Sequence, residues 1–156
     1  MRVNMIKQIF DASLKREIAK KVLEDLPEWF GIPEYTKMYI EESSSKPFFA
    51  AYVGIEPVGF IVLKETSIHT AEIYCMGVVK KYHRKSIGKS LFSFFEEYAK
   101  TKGYKLIQVK TVQYGKYEEY DKTNLFYRAM GFYELEVFPT LWDEHNPCQI
   151  LVKPLT

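Results

Sequence analysis

Apolar residues recur along this chain with two periods, and the switches between them mark out the elements. Leu14, Ile18, Val22 and Leu26 stand at i, i+4 spacing, with Lys15, Arg16, Lys20 and Lys21 expected to face water, the pattern of a surface helix. Asp11 or Ser13 is placed to cap it, and Pro27 followed by Gly31-Ile32-Pro33 breaks it. A second, shorter helix is expected over Glu34–Glu42, before the turn Ser43-Ser44-Ser45-Lys46-Pro47. Ahead of both, Val3–Phe10 alternates enough for a first strand. Phe48–Val53 and Val58–Leu63 read as two strands joined by the turn Gly54-Ile55-Glu56-Pro57, and Thr70–Val78 as a further strand. Leu91, Phe94, Phe95 and Tyr98 then return to helical spacing, so a long helix runs from Ser86 to Lys102 and Gly103 stops it. Tyr104–Val112 is again a strand. A short helix follows, capped by Asp121 or Thr123 and closed by Gly131, and two strands finish the chain. Hairpins at the front and alternating strands and helices behind predict an α/β or α+β domain with a partly parallel central sheet.

Composition narrows this only a little. At 156 residues the chain suits one domain with a proper core, residues 1–156. A net charge of +2 leaves no global field for nucleic acid, and the basic residues cluster in one turn rather than along a face with interleaved aromatics. The N-terminal Met1–Lys7 stretch is too polar for a secretory segment, and no apolar run reaches the ~18 residues a membrane span needs. Neither nucleic acid nor membrane is therefore expected as a partner. Cys75 and Cys148 fit no metal spacing and no disulfide framework, and both fall in predicted strands, so they are expected as buried free thiols of a cytoplasmic protein that holds no metal. His69 precedes a strand and reads as the end of a loop.

The chemistry concentrates between the Thr70–Val78 strand and the helix after it. Lys80, Lys81, His83, Arg84, Lys85 and Lys89 follow one another with no acid among them, and Ser86, Gly88 and Ser90 lie where the first helical turn leaves its N–H groups unpaired. A strand, a basic turn and a helix N-terminus make an anion site, because free amides and the helix dipole both favour phosphate. The turn is neither a Walker loop nor a dinucleotide fingerprint: no Gly stands five residues before Gly88-Lys89-Ser90, and G-x-G-x-x-G is absent.

This stretch resembles the acetyl-CoA loop of the GNAT family, the Gcn5-related N-acetyltransferases, with the pattern V-x-P-x-Y-R-G-x-G-I-G-x-A/S-L. Val78, Tyr82, Ile87, Gly88, Ser90 and Leu91 fall on it in register, whereas Lys80 replaces the Pro, His83 the Arg or Gln, and Ser86 the first Gly. Ser86 loses the freedom of Gly at positive φ, although its hydroxyl could donate or cap. Pro57-Val58-Gly59-Phe60-Ile61 resembles the family's V-G-F/Y strand. Phe126, Tyr127, Gly131 and Phe132 meet the closing F-Y-x-x-x-G-F about 40 residues after the loop. The resemblance implies a mixed, mostly antiparallel central sheet of about six or seven strands flanked by about four helices. It also implies acetyl-CoA as cosubstrate, held by Met76, Gly77, Val78, His83, Arg84, Lys85, Ser86, Ile87, Gly88, Lys89, Ser90, Tyr127 and Asn124. The family's CoA-contacting Asn often stands farther upstream than Asn124.

Acyl transfer to an amine sets its own demands. An alkyl ammonium of pKa ~10.4 is only about 0.04% neutral at pH 7, so a base or a dry pocket must remove its proton. Glu72 stands where histone-acetylating GNAT enzymes have their Glu base, and simple alternation places it on one strand face with Met76. A solvated strand-end acid is the other reading of Glu72. The resemblance makes a backbone N–H at or near Val78 the oxyanion donor and Tyr127 the donor to the leaving thiolate. A phenol near ~10 against a thiol near ~8.5 makes full proton transfer uphill by about 2 kcal/mol, so Tyr127 is expected to act as a strong hydrogen-bond donor.

On the acceptor side the resemblance points to Glu28, Trp29, Tyr35 and Tyr39 from the first two helices, which could equally be packing residues. It points as well to Trp142, Asp143 and Glu144 in the loop that contains His145, which could select a cationic amine or simply be solvated. The acceptor is thus a small-molecule or protein amine, with a lean towards a polyamine-like or lysine-like one. A non-catalytic acyl-CoA-binding or sensor domain of the same fold is the alternative, and a homodimer, common in the family, is left open.

Overall fold

A computed structural model describes residues 5–156, so the predicted start of the first strand at Val3 lies outside the described residues. Seven strands form one sheet: β1 (Met5–Ile9), β2 (Phe48–Val53), β3 (Glu56–Ser67), β4 (Thr70–Val78), β5 (Leu106–Val112), β6 (Tyr133–Asp143) and β7 (Asn146–Pro154). They are ordered β1-β2-β3-β4-β5-β7-β6, antiparallel throughout except where β4 and β5 run side by side. Four helices accompany them: α1 (Ala12–Glu24), α2 (Pro33–Ser43), α3 (Ile87–Thr101) and α4 (Glu118–Ala129).

The helix faces are as the spacing predicts, with instructive exceptions. Asp11 caps α1, its Oδ2 accepting from the Leu14 N–H at 2.9 Å, and Ile18, Val22 and Leu23 are buried. Lys15 does not face water as expected. It is buried with its Nζ donating to the Lys46 carbonyl at 2.7 Å, because α2 and the turn after it fold back over that flank, and the lost hydration lowers its pKa. In α3, Leu91, Phe92, Phe95 and Ala99 are buried, whereas Phe94 is half-exposed and rests against Phe49 with ring centres 5.5 Å apart. The hairpin turn contracts to Gly54 and Ile55, since Glu56 and Pro57 already pair with Val53 and Tyr52. Helix α4 begins three residues before the predicted cap. Asp121 sits inside it and accepts instead from the Gly115 N–H at 2.7 Å, tying down the preceding loop. Cys75 and Cys148 are free and buried.

The two sheet faces carry different helices. A side chain at Gly77 would meet Val22 of α1 and Leu26 just beyond its end, both at 3.0 Å, whereas one at Gly59 would meet Leu91 of α3 at 3.2 Å. Phe48 stacks on Phe60 at 5.2 Å within the sheet, and Phe49 meets α3 through Phe94, Phe95 and Tyr98. Among the described residues, no helix is long and apolar enough to cross a membrane.

Candidate active site

Strands β4 and β5 pair only over Thr70–Ile73 and Leu106–Val109, although β4 stays paired with β3 to Val78 and β5 with β7 to Val112. Residues 74–78 and 110–112 therefore diverge and leave a gap in the centre of the sheet. The Val79 N–H donates across to the Val58 carbonyl at 2.9 Å, and strand amides alternate, so the N–H of Val78 points away from β3 and into the gap. The Val78 carbonyl points the same way and lies 2.6 Å from His83 Nε2, which must carry the ring proton because a carbonyl only accepts. A cleft of about 1100 Å³ occupies the gap, lined by residues of the α1–α2 segment, β4, β5, α3 and α4. A single small-molecule site takes roughly 300–1,000 Å³, so this cleft is slightly larger than the upper end of that range.

One half is built mainly from backbone. Between β4 and α3 the chain makes a short 3-10 turn, Lys80–Tyr82, and then places Arg84 at φ 62° and Ser86 at φ 64°. Both are left-handed positions that side chains with a Cβ rarely adopt, and such strain gathers at ligand-holding loops. Ser86 does take the conformation of the missing Gly, and its side chain makes no capping bond, so the first-turn amides of α3 remain open. His83, Arg84, Ser86, Ile87, Gly88 and Lys89 line the cleft here together with Met76, Gly77 and Val78. Lys85 is exposed and outside the lining, and Ser90 turns its hydroxyl back to the Ser86 carbonyl at 3.1 Å. Amides, dipole and cations all converge, and the residues present fit a pyrophosphate-bearing cosubstrate.

The other half is built from side chains. Trp29, Phe30, Tyr35 and Tyr39 come from the α1–α2 segment, Tyr74 from β4, Lys110 from β5, and Trp142 and Asp143 from the end of β6. Ring centres of Phe30 and Tyr39 are 5.8 Å apart, and those of Tyr39 and Tyr74 are 5.4 Å apart. Trp29 holds α4 through its indole N–H, which reaches the Thr123 hydroxyl at 3.2 Å, and its ring meets His83 edge-on at 6.0 Å. Burial pushes the Tyr39 phenol up to about 12. Asp143 lines the cleft, but its oxygens accept from the N–H groups of His145 and Asn146 and from the Asn146 amide, bonds that hold its carboxyl below the usual range. Glu144 is exposed outside the lining, 3.6 Å from His145, and Glu28 is taken by Lys80 at 2.6 Å.

Glu72 is where alternation fails. On β3, Lys64 and Val62 share a face; they pair with Glu72 and Cys75, so the register slips by one residue at Tyr74. This bulge puts Glu72 on the α1 face with Cys75 and Gly77, and leaves Met76 and Val78 on the α3 face. The Glu72 carboxylate is buried and does not line the cleft. Gln108 Nε2 donates to it at 2.8 Å, and Lys110 Nζ, which does reach the cleft, lies 3.2 Å away.

Tyr127 lines the gap from α4, its ring flanked by Phe126 at 5.4 Å and Phe132 at 5.5 Å. Burial, with the neighbouring Cys75, pushes its phenol well above the ordinary range, so it stays protonated. Asn124 is fully buried and not in the lining. Its Nδ2 donates to the Val112 carbonyl at 3.0 Å and to the Tyr120 carbonyl at 2.9 Å, fastening α4 to the free end of β5. Lys110, Phe30 and Tyr74 are cleft residues that the sequence did not single out. Lys110 shares a strand face with Gln108, as any i, i+2 pair does, and only the divergence of β4 and β5 opens it to the cleft.

A model of the acetyltransferase (GNAT) family matches residues 15–132. The chain belongs to the GNAT family. No curated protein matches it by sequence. Among solved structures, a GNAT-family protein from Desulfovibrio desulfuricans superposes with TM-score 0.79 at 15% identity, covering 97% of this chain and 99% of that one. The aminoglycoside 6'-N-acetyltransferase from Enterococcus faecium superposes with TM-score 0.77 at 20% identity, covering 97% of each chain. An aminoglycoside 6'-N-acetyltransferase complexed with coenzyme A gives TM-score 0.76 at 20% identity, again over 97% of each chain. At these identities the likeness establishes the GNAT fold, a seven-stranded mixed sheet with four helices, rather than a shared substrate.

Proposed function

We propose that this GNAT protein is an acetyl-CoA-dependent N-acetyltransferase that passes an acetyl group directly to a primary amine, with both reactants in the cleft. The supporting observation is one juxtaposition: the open amides of α3, the inward N–H of Val78 and the protonated Tyr127 all border the same gap. Acetyl-CoA supplies an activated acyl group and a thiol leaving group. The α3 amides with Arg84 and Lys89 hold its pyrophosphate. The Val78 N–H donates to the acyl oxygen as charge develops there. Tyr127 donates a hydrogen bond to the departing sulfur; its raised pKa keeps that proton available across the working pH range and makes outright transfer unfavourable. Glu72, sealed behind Lys110, acts by orienting that lysine, and the dry aromatic walls disfavour the ammonium form of a bound amine.

The test is thermal melting with acetyl-CoA, with ADP as control, followed by thiol release on adding amines. At about 100 Kd the stabilisation is about 2.7 kcal/mol, a rise in Tm of roughly 5–10 °C for this size. Thiol release with an amine then supports the transferase. A shift with acetyl-CoA and no thiol release from any amine would leave an acyl-CoA-binding domain, and no shift at millimolar acetyl-CoA would remove the cosubstrate assignment altogether.

A further inference from the structure

We propose that the acceptor is a flat-ringed amine that carries a carboxylate, and that the ammonium of Lys110 holds the carboxylate. This rests on the acyl-transfer reading above and names the acceptor it would take.

Three observations converge on it. The acceptor half has aromatic walls: Phe30, Tyr39 and Tyr74 form a continuous edge-to-face series at 5.8 and 5.4 Å, and Trp29 and Trp142 border the same cleft. Such walls recognise a ring by area and quadrupole. The charge of this half is also the wrong sign for a polycation. Among the described residues, the one carboxylate in the cleft lining is Asp143, and its oxygens already accept from His145 and Asn146. Glu72 is on the far side of Lys110 and engaged by both Gln108 and Lys110. A polyamine or an aminoglycoside would bring several ammonium groups against a single lining carboxylate, Asp143, and beside the ammonium of Lys110.

Lys110 supplies the third observation. Its Nζ is anchored 3.2 Å from Glu72, its side chain is 34% exposed, and it reaches the cleft. An ammonium has three donors; one is spent on Glu72, and the others are available to a ligand anion. The remaining lining cations lie elsewhere: Arg84 and Lys89 belong to the basic turn, and Lys122 pairs with Glu118 on α4 at 3.8 Å. A ring against the aromatic walls and a carboxylate on Lys110 fix the ligand at two points. Its amine is left in the dry gap, where the neutral, nucleophilic form is favoured.

Both tryptophans of the chain line this cleft, so their fluorescence reads acceptor binding without turnover. The titration uses the protein with CoA present and matched ligands: L-phenylalanine and its methyl ester, 4-(aminomethyl)benzoate and benzylamine, and spermidine. The expected result is at least ten-fold tighter binding of each carboxylate than of its carboxylate-free match, with spermidine weakest. In Lys110→Met that preference collapses while affinity for the carboxylate-free members changes less than three-fold; Lys110→Arg retains it. Equal binding within the pairs, tighter binding of spermidine, or no response to any aromatic amine overturns the proposal, and these outcomes need only the unmodified protein. Thiol release from acetyl-CoA with the same ligands is read separately. Carboxylate-selective binding without thiol release would uphold this ligand class and sink the transferase reading; thiol release with spermidine alone would do the reverse.

Discussion

The two halves of the cleft are made in different ways. The cosubstrate half is one unbroken segment, residues 76–90, and its ligating groups are mainly amides of a strand end and a helix start. Side chains there depart from the family pattern while the backbone keeps its course: Ser86 stands where the pattern has Gly and takes φ 64°, and His83 stands where it has Arg or Gln and caps the Val78 carbonyl. The acceptor half gathers single side chains from the α1–α2 segment, β4, β5 and β6, and its character depends on which way each one points. A site built from backbone is less sensitive to sequence change, because any residue but proline supplies an N–H. A site built from side chains changes its ligand with each substitution.

The largest effect separating the halves is expected at their junction. Tyr127→Phe keeps the buried ring and removes only the donor, so kcat should fall by about 100-fold while acetyl-CoA affinity stays within about three-fold. Steady-state kinetics beside a Kd measurement check this. The phenol is pushed upward, so its neutral form persists at every pH below its ordinary ~10, and the wild-type kcat profile should show no alkaline fall below that pH from this residue. A loss of acetyl-CoA binding equal to the loss in kcat would make Tyr127 a cosubstrate contact instead.

Asn124→Ala comes next, and it is expected to act on stability. It removes one buried and one part-buried hydrogen bond and leaves the Val112 carbonyl without that donor, costing about 2–3 kcal/mol. Tm should drop by roughly 4–12 °C, with cosubstrate affinity of the folded protein little changed at low temperature. Weakened acetyl-CoA binding with an unaltered Tm would restore Asn124 to the cosubstrate site.

Glu72→Gln tests the bulge. Held behind Lys110, the carboxylate is expected to affect kcat by less than about ten-fold and to act mainly through KM for the acceptor, whereas loss of a direct base would cost about 100-fold or more in kcat. The smallest change is Ser86→Gly. It relieves a left-handed Cβ and should stabilise the protein by about 1 kcal/mol, raising Tm by roughly 2–4 °C. A melt without ligand decides that one.

Legibility followed the same divide. The helix faces at Ile18, Val22, Leu91 and Phe95, the Asp11 cap and the order of elements could be read from spacing, because periodicity and capping are local. The basic turn and the Phe126–Phe132 block could be read because their chemistry is carried by consecutive residues. Glu72 could not. Alternation assumes an unbroken ladder, and the extra residue at Tyr74, invisible in the pattern, moved it to the other face. Lys15 was misplaced for a related reason: its exposure depends on where α2 returns, which the spacing of α1 does not contain. Trp29, Tyr35, Trp142 and Asp143 reached the cleft as expected, but Asp143 arrived with its oxygens already bonded in the turn.

By itself, then, the sequence determined the elements, their order, the basic turn and the GNAT family, since each is written in residues near one another in the chain. Only the tertiary structure decided that β4 and β5 part after Ile73 and Val109, which way Val78 presents its N–H, and that Glu72 backs Lys110 instead of facing the gap. Those depend on pairing between separate segments, such as Val58 with Val79 and Glu72 with Gln108, where no local pattern records the register.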